Sequence, residues 1–216
     1  MSGSSSSNSS GGLGPGGGRR VTVAMTGASG AQYGLRLVEC LLAQGVDVYL
    51  LVSDAACEVL RLELDHDVPA GFADRQTFFA TLFGDTGGRL ELVDKLDWTS
   101  AVASGSNAPD AMVVCPCSSG CVSAIAQGAS NNLIERAADV MIKEKKQLIV
   151  VHREMPLSEI HLQNLLRLAQ VGVTVMPASP GFYHGPSTID DLVNFVVARV
   201  LDHLDIKHDL LARWGS

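Results

Sequence analysis

Glycine and small polar residues follow the first apolar segment of the chain, and they form a turn that could bind a phosphate. The run Val21-Thr-Val-Ala-Met-Thr26 is followed by Gly27-Ala28-Ser29-Gly30, and a helical pattern begins at Ala31. Backbone N–H groups at such a turn suit a phosphate or a flavin edge. Because the glycines fall at positions 27, 30 and 34, the spacing differs from the dinucleotide fingerprint. The alternative is a tight connection in which glycine serves the backbone alone.

A second turn of this kind follows an apolar run at 111–115 and contains three cysteines. Its sequence is Cys115-Pro116-Cys117-Ser118-Ser119-Gly120-Cys121. No second ligand pair accompanies the cysteines, which argues against zinc, and we expect no metal. The hydroxyl groups of Ser118 and Ser119 and the N–H groups after Pro116 could form an anion or flavin site, whereas a plain helix cap is the alternative. Two such turns at one edge of a sheet favour a single shared ligand.

Positive charge is placed at several predicted helices and strand ends of this chain. The residues are Arg136, Lys143, Arg153 and Arg199. The lysines at 143–146 could simply form a solvated face. Arg153 differs, because it follows the apolar strand predicted at 148–151 and its charge there needs a partner. A phosphate is a suitable partner for it.

A stiff loop at 177–184 brings aromatic residues to the same edge. Its sequence is Pro177-Ala-Ser-Pro180-Gly181-Phe182-Tyr183-His184. The loop could carry an aromatic group and a hydroxyl to a ligand, and His184 could act as a base. Alternatively, Phe182 and Tyr183 cover the core and His184 is solvated or structural.

The composition restricts the possible functions. The chain has 216 residues and a formal net charge of −7, which argues against nucleic acid as a partner. No apolar run is long enough to span a membrane, so we expect no membrane association. The five cysteines fit a reducing, cytoplasmic location better than a disulfide framework. We interpret residues 1–20 as a disordered Ser/Gly-rich tail and residues 21–216 as a single domain.

Strand and helix patterns alternate along this domain. Apolar runs predict strands at 21–26, 46–52, 89–93, 111–115, 148–151 and 173–176. Helices are predicted at 31–44, 54–63, 74–83, 121–127, 133–143, 158–170 and, from a capping box at 187–190, to about 204. The alternation predicts an α/β, Rossmann-like fold with three α/β/α layers and a mostly parallel sheet. Ligands of such sheets bind beyond the carboxyl ends of the strands, here the loops 27–30, 53–54, 116–120, 152–156 and 177–186.

Six motifs, in order along the chain, resemble the UbiX family of flavin prenyltransferases. They are Met25-Thr-Gly-Ala-Ser-Gly-Ala-Gln-Tyr-Gly-Leu-Arg36, Cys115-Pro-Cys-Ser118, Asn132-Leu-Ile-Glu-Arg-Ala-Ala-Asp139, Lys143-Glu144, Arg153-Glu-Met-Pro156 and Pro180-Gly-Phe-Tyr-His184. The resemblance runs from about residue 21 to Trp214. Members were long regarded as decarboxylases (3-polyprenyl-4-hydroxybenzoate carboxy-lyases). This sequence departs from the family in Asp54, where a lysine is common, and in Cys121 of the serine-rich turn.

The resemblance implies a flavoprotein fold, an FMN site and a prenyl donor. FMN binding is implied for Gly27, Ala28, Ser29, Ser53, Ser118, Ser119, Gly120, Cys121 and Arg153. Tyr183 and Arg199 would bind dimethylallyl monophosphate, and Arg136 and Lys143 would add phosphate contacts. The reaction would join the dimethylallyl group to N5 and C6 of reduced FMN, and the prenylated FMN would serve a UbiD-type decarboxylase, for example in ubiquinone biosynthesis. The family also implies a homododecamer with sites shared between subunits.

The chemistry of this reaction singles out reactive residues within the resemblance. Arginine and lysine must neutralise the leaving phosphate, since no metal ligand set is visible. Bond formation at C6 releases a proton, which Glu63, Glu154 or the released phosphate could accept. Ser29 would lie against the flavin and could guide the proton at N5. Two alternatives stay open: an FMN-dependent decarboxylase of the related flavoprotein group, and a non-enzymatic flavin carrier.

Overall fold

Strands and helices alternate throughout residues 18–211, the part of the chain that our computed structural model describes. The strands are β1 (Arg20–Met25), β2 (Asp47–Val52), β3 (Leu90–Leu92), β4 (Ala111–Cys117), β5 (Gln147–His152) and β6 (Thr174–Pro177). The helices are α1 (Ala31–Ala43), α2 (Asp54–Leu64), α3 (Phe72–Phe83), α4 (Ser119–Ala126), α5 (Leu133–Lys143), α6 (Glu159–Gln170) and α7 (Ile189–His203). Of the predicted tail, residues 1–17 lie outside the described range, as does Trp214.

The strands form one parallel sheet with the order β3-β2-β1-β4-β5-β6. β1 lies between β2 and β4, so that Val23 is paired with Leu50 on one side and with Val113 on the other. The predicted Rossmann-like α/β fold is thereby confirmed. Because the strand order reverses between β1 and β4, the loops after these two strands flank a crevice, which is where ligands of such sheets bind.

Each face of the sheet carries its own apolar core, because successive side chains of a strand point to opposite faces. Val21, Val23 and Met25 of β1 belong to the core built with α1, α2, α3 and α7. Ala24 of the same strand belongs to the core built with α4, α5 and α6. Burial on both faces explains why the strands are almost continuously apolar in sequence.

Several boundaries differ from those predicted, and two of them affect the candidate site. β4 continues to Cys117 instead of ending at 115, and α4 begins at Ser119 instead of 121. The capping box of α7 uses Thr188 and Asp191, one residue later than predicted, because the Asp191 carboxylate accepts from the Thr188 N–H group (2.9 Å). A 3₁₀ turn at Ala101–Ala103 was not predicted. Within residues 18–211, no helix has the length and apolarity needed to cross a bilayer.

Candidate functional site

Thr26 joins the two turns that follow β1 and β4. Its hydroxyl group donates a hydrogen bond to the Pro116 carbonyl oxygen (2.9 Å) and accepts one from the Ser118 N–H group (2.8 Å). The Thr26 N–H group also donates to the Pro116 carbonyl oxygen (3.2 Å). Because Thr26 is buried, these bonds hold the two turns together with little competition from water. Sequence reasoning missed this role, since it treated Thr26 only as the end of a strand.

The carboxylate of Glu63 occupies the N-terminal end of α1. It accepts hydrogen bonds from the N–H groups of Gly30 (2.9 Å) and Ala31 (3.0 Å). Burial raises the pKa of Glu63, but hydrogen bonds from the Ser29 side chain and from these N–H groups outweigh burial, so that the pKa lies below its ordinary value. The structure thus brings Ser29 and Glu63 together. The Glu63 carboxylate therefore occupies part of the turn that was predicted to bind a phosphate.

A cavity of about 440 Å³ lies between the two turns at the carboxyl edge of the sheet. It is lined by the caps and first residues of three helices: Ser53, Asp54 and Ala55 at α2; Ser118, Gly120 and Cys121 at α4; and Asn132, Leu133 and Ile134 at α5. The start of a helix presents unpaired N–H groups and the positive end of the helix dipole. Three such starts around one cavity therefore favour an anionic ligand, and the volume is typical of cofactor pockets.

Ser53 and Ser118 cap their helices and line this cavity at the same time. The Ser53 hydroxyl group accepts from the Ala56 N–H group (3.1 Å), and the Ser118 hydroxyl group accepts from the Cys121 N–H group (3.3 Å). The capping interpretation and the ligand-site interpretation are therefore compatible. Gly27 also lines the cavity, and a Cβ atom there would lie only 2.6 Å from Cβ of Ala55. Glycine at 27 lets the first turn approach the start of α2 closely.

Two acidic residues also line the cavity, and both are engaged in bonds within the chain. The Asp54 carboxylate accepts from Lys95 Nζ (2.6 Å), a hydrogen bond that lowers the pKa of Asp54. The Glu135 carboxylate accepts from the Asn131 N–H group (2.8 Å) and from the Asn132 side chain (2.7 Å). Their negative charge is therefore partly compensated before any ligand binds.

Ser119, His152 and Glu154 form a hydrogen-bonded group beside the second turn. The Ser119 hydroxyl oxygen lies 2.8 Å from Glu154 Oε2 and 3.0 Å from His152 Nε2. The hydrogen bond from Ser119 is the main cause of a lowered pKa for Glu154. Burial lowers the pKa of His152, which is 5% exposed. Ser119 and Glu154 were predicted as site residues, whereas His152 was not assigned a role.

Arg153 carries a buried nitrogen that lacks a partner. Its Nε atom makes no hydrogen bond within the described part of the chain, while its backbone N–H group donates to the Cys117 carbonyl oxygen (3.2 Å). Its charge also acts on Glu63 and Glu154, as a smaller contribution to their pKa than their hydrogen bonds. A buried donor without a partner costs about 1–3 kcal/mol. Arg153 therefore fits an acceptor that a ligand supplies.

The other predicted phosphate ligands are not gathered at the cavity in the single chain. Each is paired with an acidic neighbour: Arg136 with Asp139 (3.1 Å), Lys143 with Glu144, and Arg199 with Asp202 (2.6 Å). None of the three cations lines the cavity.

The loop between β6 and α7 presents Tyr183 at the surface. The residue is 67% exposed, and its ring packs edge-on against Phe195 of α7, with 5.7 Å between the centroids. The ring of His184 stacks flat against that of Phe195, with 5.2 Å between the centroids. In the described range neither of its ring nitrogens has a hydrogen-bond partner. His184 therefore covers apolar surface, while most of Tyr183 is exposed.

The cysteines of the second turn are poorly suited to bind a metal. Cys115 and Cys117 are buried. Burial raises the pKa of Cys115, and a hydrogen bond with Cys121 together with burial raises the pKa of Cys117. Thiols of high pKa are poor ligands and nucleophiles. Among residues 18–211, no cluster of three His, Cys, Asp or Glu side chains has the arrangement of a metal site.

Sequence reasoning did not assign the start of α5 to the site. Asn132 caps this helix by accepting from the Glu135 N–H group (3.0 Å), and Leu133 and Ile134 follow it along the cavity wall. An asparagine just before an amphipathic helix is a readable capping signal. Only the fold shows that this particular helix begins beside the cavity.

Several known proteins are similar in sequence to this chain over most of its length. The sequence profile of the Flavoprotein family matches residues 13–201. The flavin prenyltransferase UbiX of Pseudomonas aeruginosa is 52% identical over 197 residues, which are 91% of this chain and 94% of that protein. UbiX of Alkalihalophilus pseudofirmus is 49% identical over 196 residues, or 91% and 96% of the two chains.

Solved structures of similar proteins also match most of this chain. AnUbiX in complex with FMN and dimethylallyl pyrophosphate has a TM-score of 0.80 and 35% identity, and the match covers 92% of this chain and 98% of that one. A dodecameric FMN-dependent UbiX-like decarboxylase from Escherichia coli O157:H7 has a TM-score of 0.76 and 37% identity, covering 91% and 100%.

Proposed function

The chain belongs to the UbiX family of flavin prenyltransferases, and from this premise we propose that it transfers a dimethylallyl group from dimethylallyl monophosphate to N5 and C6 of reduced FMN. The observation that carries the proposal is the cavity surrounded by three helix starts, with the unpartnered Arg153 Nε next to the second turn. The related AnUbiX structure holds FMN and dimethylallyl pyrophosphate, which supports FMN together with a dimethylallyl phosphate ester as the two ligand classes. The prenylated FMN would then serve a UbiD-type decarboxylase in the cytoplasm.

The residues around the cavity fit FMN. The N–H groups at the starts of α2, α4 and α5 suit its phosphate, and the buried Arg153 Nε suits an acceptor atom of the flavin. When bound in its reduced form, FMN supplies the nucleophilic atoms N5 and C6. The proposed contact residues are Gly27, Ala28, Ser29, Ser53, Ser118, Ser119, Gly120, Cys121 and Arg153.

The proposed phosphate ligands of the prenyl donor lie away from this cavity in one chain, and a neighbouring subunit would complete the site. Tyr183 and Arg199 are exposed, and Arg136 and Lys143 lie on another helix. Side chains from two subunits could surround the leaving phosphate at a boundary between copies. The related Escherichia coli protein is dodecameric, and we propose a homododecamer here as well.

The reactive residues differ in how firmly they are held. Glu63 is ionised and fixed by two backbone N–H groups, so it suits the task of orienting Ser29. Ser29 would guide the proton at N5. Glu154 is held by Ser119 and is partly exposed, so we propose it as the acceptor of the proton released at C6.

The test is an anaerobic incubation of the purified protein with reduced FMN and dimethylallyl monophosphate. We expect mass spectrometry of the released flavin to show the mass of one added C5H8 unit. The C5H9 group replaces the hydrogens on N5 and C6, and one proton adds to its double bond when the second bond forms. Dimethylallyl diphosphate in a parallel incubation measures the preference for the donor. A flavin of unchanged mass with both donors refutes the prenyltransferase proposal, and retained FMN in that case supports a flavin carrier.

Arg199→Ala tests the proposed donor site. The variant should lose product formation and keep FMN, since Arg199 does not line the flavin cavity. Arg61→Ala is the matched control, because Arg61 is also exposed and paired with an acid three residues away, Glu58. Exposed pairs of this kind contribute about 0–1 kcal/mol to stability, so both variants should fold. Loss of FMN from Arg199→Ala contradicts this assignment.

A further inference from the structure

Ser119 lies between an imidazole and a carboxylate that come from the neighbouring strand end. Ser119 begins α4, directly after β4, and His152 ends β5, where it is paired in register with Cys117. Glu154 follows two residues later. The Ser119 hydroxyl oxygen contacts both His152 Nε2 (3.0 Å) and Glu154 Oε2 (2.8 Å). Two adjacent parallel strands therefore create this group at the ligand-binding edge of the sheet.

The direction of both hydrogen bonds follows from the donors available. An ionised carboxylate only accepts, so the Ser119 hydroxyl group donates its single hydrogen to Glu154. The contact with His152 must then be donated by the imidazole, which places the hydrogen of a neutral ring on Nε2. The result is a chain of bonds from His152 through Ser119 to Glu154.

We propose that Ser119 and His152 are positioning residues that hold the Glu154 carboxylate in one orientation through Oε2, so that a remaining lone pair of the carboxylate can accept the proton. This inference rests on the proposed function, in which Glu154 accepts the proton from C6. It also changes the role of Ser119: its hydroxyl group is committed to Glu154 and His152, so any contact with FMN is made through its backbone alone.

Other groups around Glu154 support an ionised acceptor. The Glu154 carboxylate also accepts from the Met155 N–H group through Oε1 (3.2 Å). After these hydrogen bonds, the charge of Arg153 acts in the same direction on the pKa of Glu154, which lies below its ordinary value. His161 lies on α6 with its ring 6.4 Å from that of His152. Removal of Ser119 should therefore raise the pKa of Glu154 without leaving it uncharged at neutral pH.

A direct measurement uses carbon-13 NMR of protein labelled at the glutamate side chains, with no flavin added. The Glu154 signal is identified by its absence in Glu154→Gln. We expect its titration midpoint to move to higher pH in Ser119→Ala and to return in Ser119→Thr, which restores a hydroxyl group. Ser123→Ala, one turn further along α4, is the control and should leave the midpoint in place.

Turnover provides the second measurement, with product formation followed as a function of pH. Ser119→Ala should keep its FMN and lose about tenfold in kcat through misplacement of the acceptor, with the acid limb of the profile moved to higher pH. His152→Gln keeps an N–H donor near the position of Nε2 and should retain more activity than His152→Met. A purely structural role predicts an equal loss at all pH values.

The outcomes separate this inference from the proposed function. A wild-type protein that makes no prenylated flavin refutes the proposed function, and the NMR titration still decides whether Ser119 acts on Glu154. An active wild-type protein with superimposable pH profiles for Ser119→Ala and Ser123→Ala refutes the positioning role. Loss of FMN from a folded Ser119→Ala also refutes it, because the hydroxyl group would then bind the flavin itself.

Discussion

Thr26→Val is a sharp test of how the site is assembled, because it changes hydrogen bonding with little change of shape. Valine removes the hydroxyl group that donates to the Pro116 carbonyl oxygen and accepts from the Ser118 N–H group. Loss of the first bond costs about 1 kcal/mol, and an N–H group left unsatisfied costs about 1–3 kcal/mol. We therefore expect the free energy of unfolding to fall by about 2–4 kcal/mol, or Tm to fall by about 5–15 °C for a domain of this size.

The assay is urea unfolding at one protein concentration, with FMN binding measured in parallel by quenching of flavin fluorescence. Thr26→Ser is the control: it keeps both hydrogen bonds and loses one buried methyl group, which costs about 1 kcal/mol. The valine variant should also bind FMN more weakly, because Ser118 lines the cavity. If the valine variant is as stable as the serine variant and binds FMN equally well, the hydroxyl group does not hold the two turns together.

Three further predictions concern the cavity and the helix starts around it. Gly27→Ala should lose about 1–3 kcal/mol of stability by overpacking against Ala55, whereas Gly120→Ala, where a Cβ atom meets open space, should lose none in the same unfolding assay. Glu63→Gln should be less stable than the wild-type protein at neutral pH, with a difference that shrinks on acidification. The reason is that a carboxylate of lowered pKa stabilises the fold above its unfolded pKa and ceases to do so as pH falls through the folded value; unfolding curves that differ equally at all pH values contradict this. Arg153→Lys should weaken FMN binding at least tenfold in a fluorescence titration, because a lysine cannot place a donor where Nε lies, and unchanged affinity excludes a role for Nε.

The sheet and its helices could be predicted because they depend on local patterns. The predicted bounds of β1, β2, β4 and β5 lie within one or two residues of the observed ones, and those predicted for α5 are the observed ones. The caps at Ser53 and Ser118 were also readable, since capping uses residues within one turn of the helix. The larger error at β4 arose because Pro116 suggested that the strand had ended.

The parts of the site that were not predicted depend on contacts between distant segments. Thr26 contacts Pro116 across 90 positions of the chain. Glu63 was itself a predicted site residue, but its contact with the start of α1, across more than 30 positions, was not predicted. No local pattern encodes such contacts. His152 was overlooked for a related reason: a lone histidine at a strand end gives no signal until its neighbour Ser119 is placed beside it.

The position of Glu63 has a consequence for the orientation in which a flavin nucleotide can bind. A carboxylate already neutralises the positive end of α1, so a phosphate placed there would meet like charge, whereas the starts of α2, α4 and α5 face the cavity. We therefore expect FMN to bind with its phosphate at one of these three helix starts, because repulsion at α1 and attraction at the cavity favour the same orientation. In the reversed orientation, with the phosphate at α1, the phosphate would face the Glu63 carboxylate, and we expect that like charge to disfavour this binding mode.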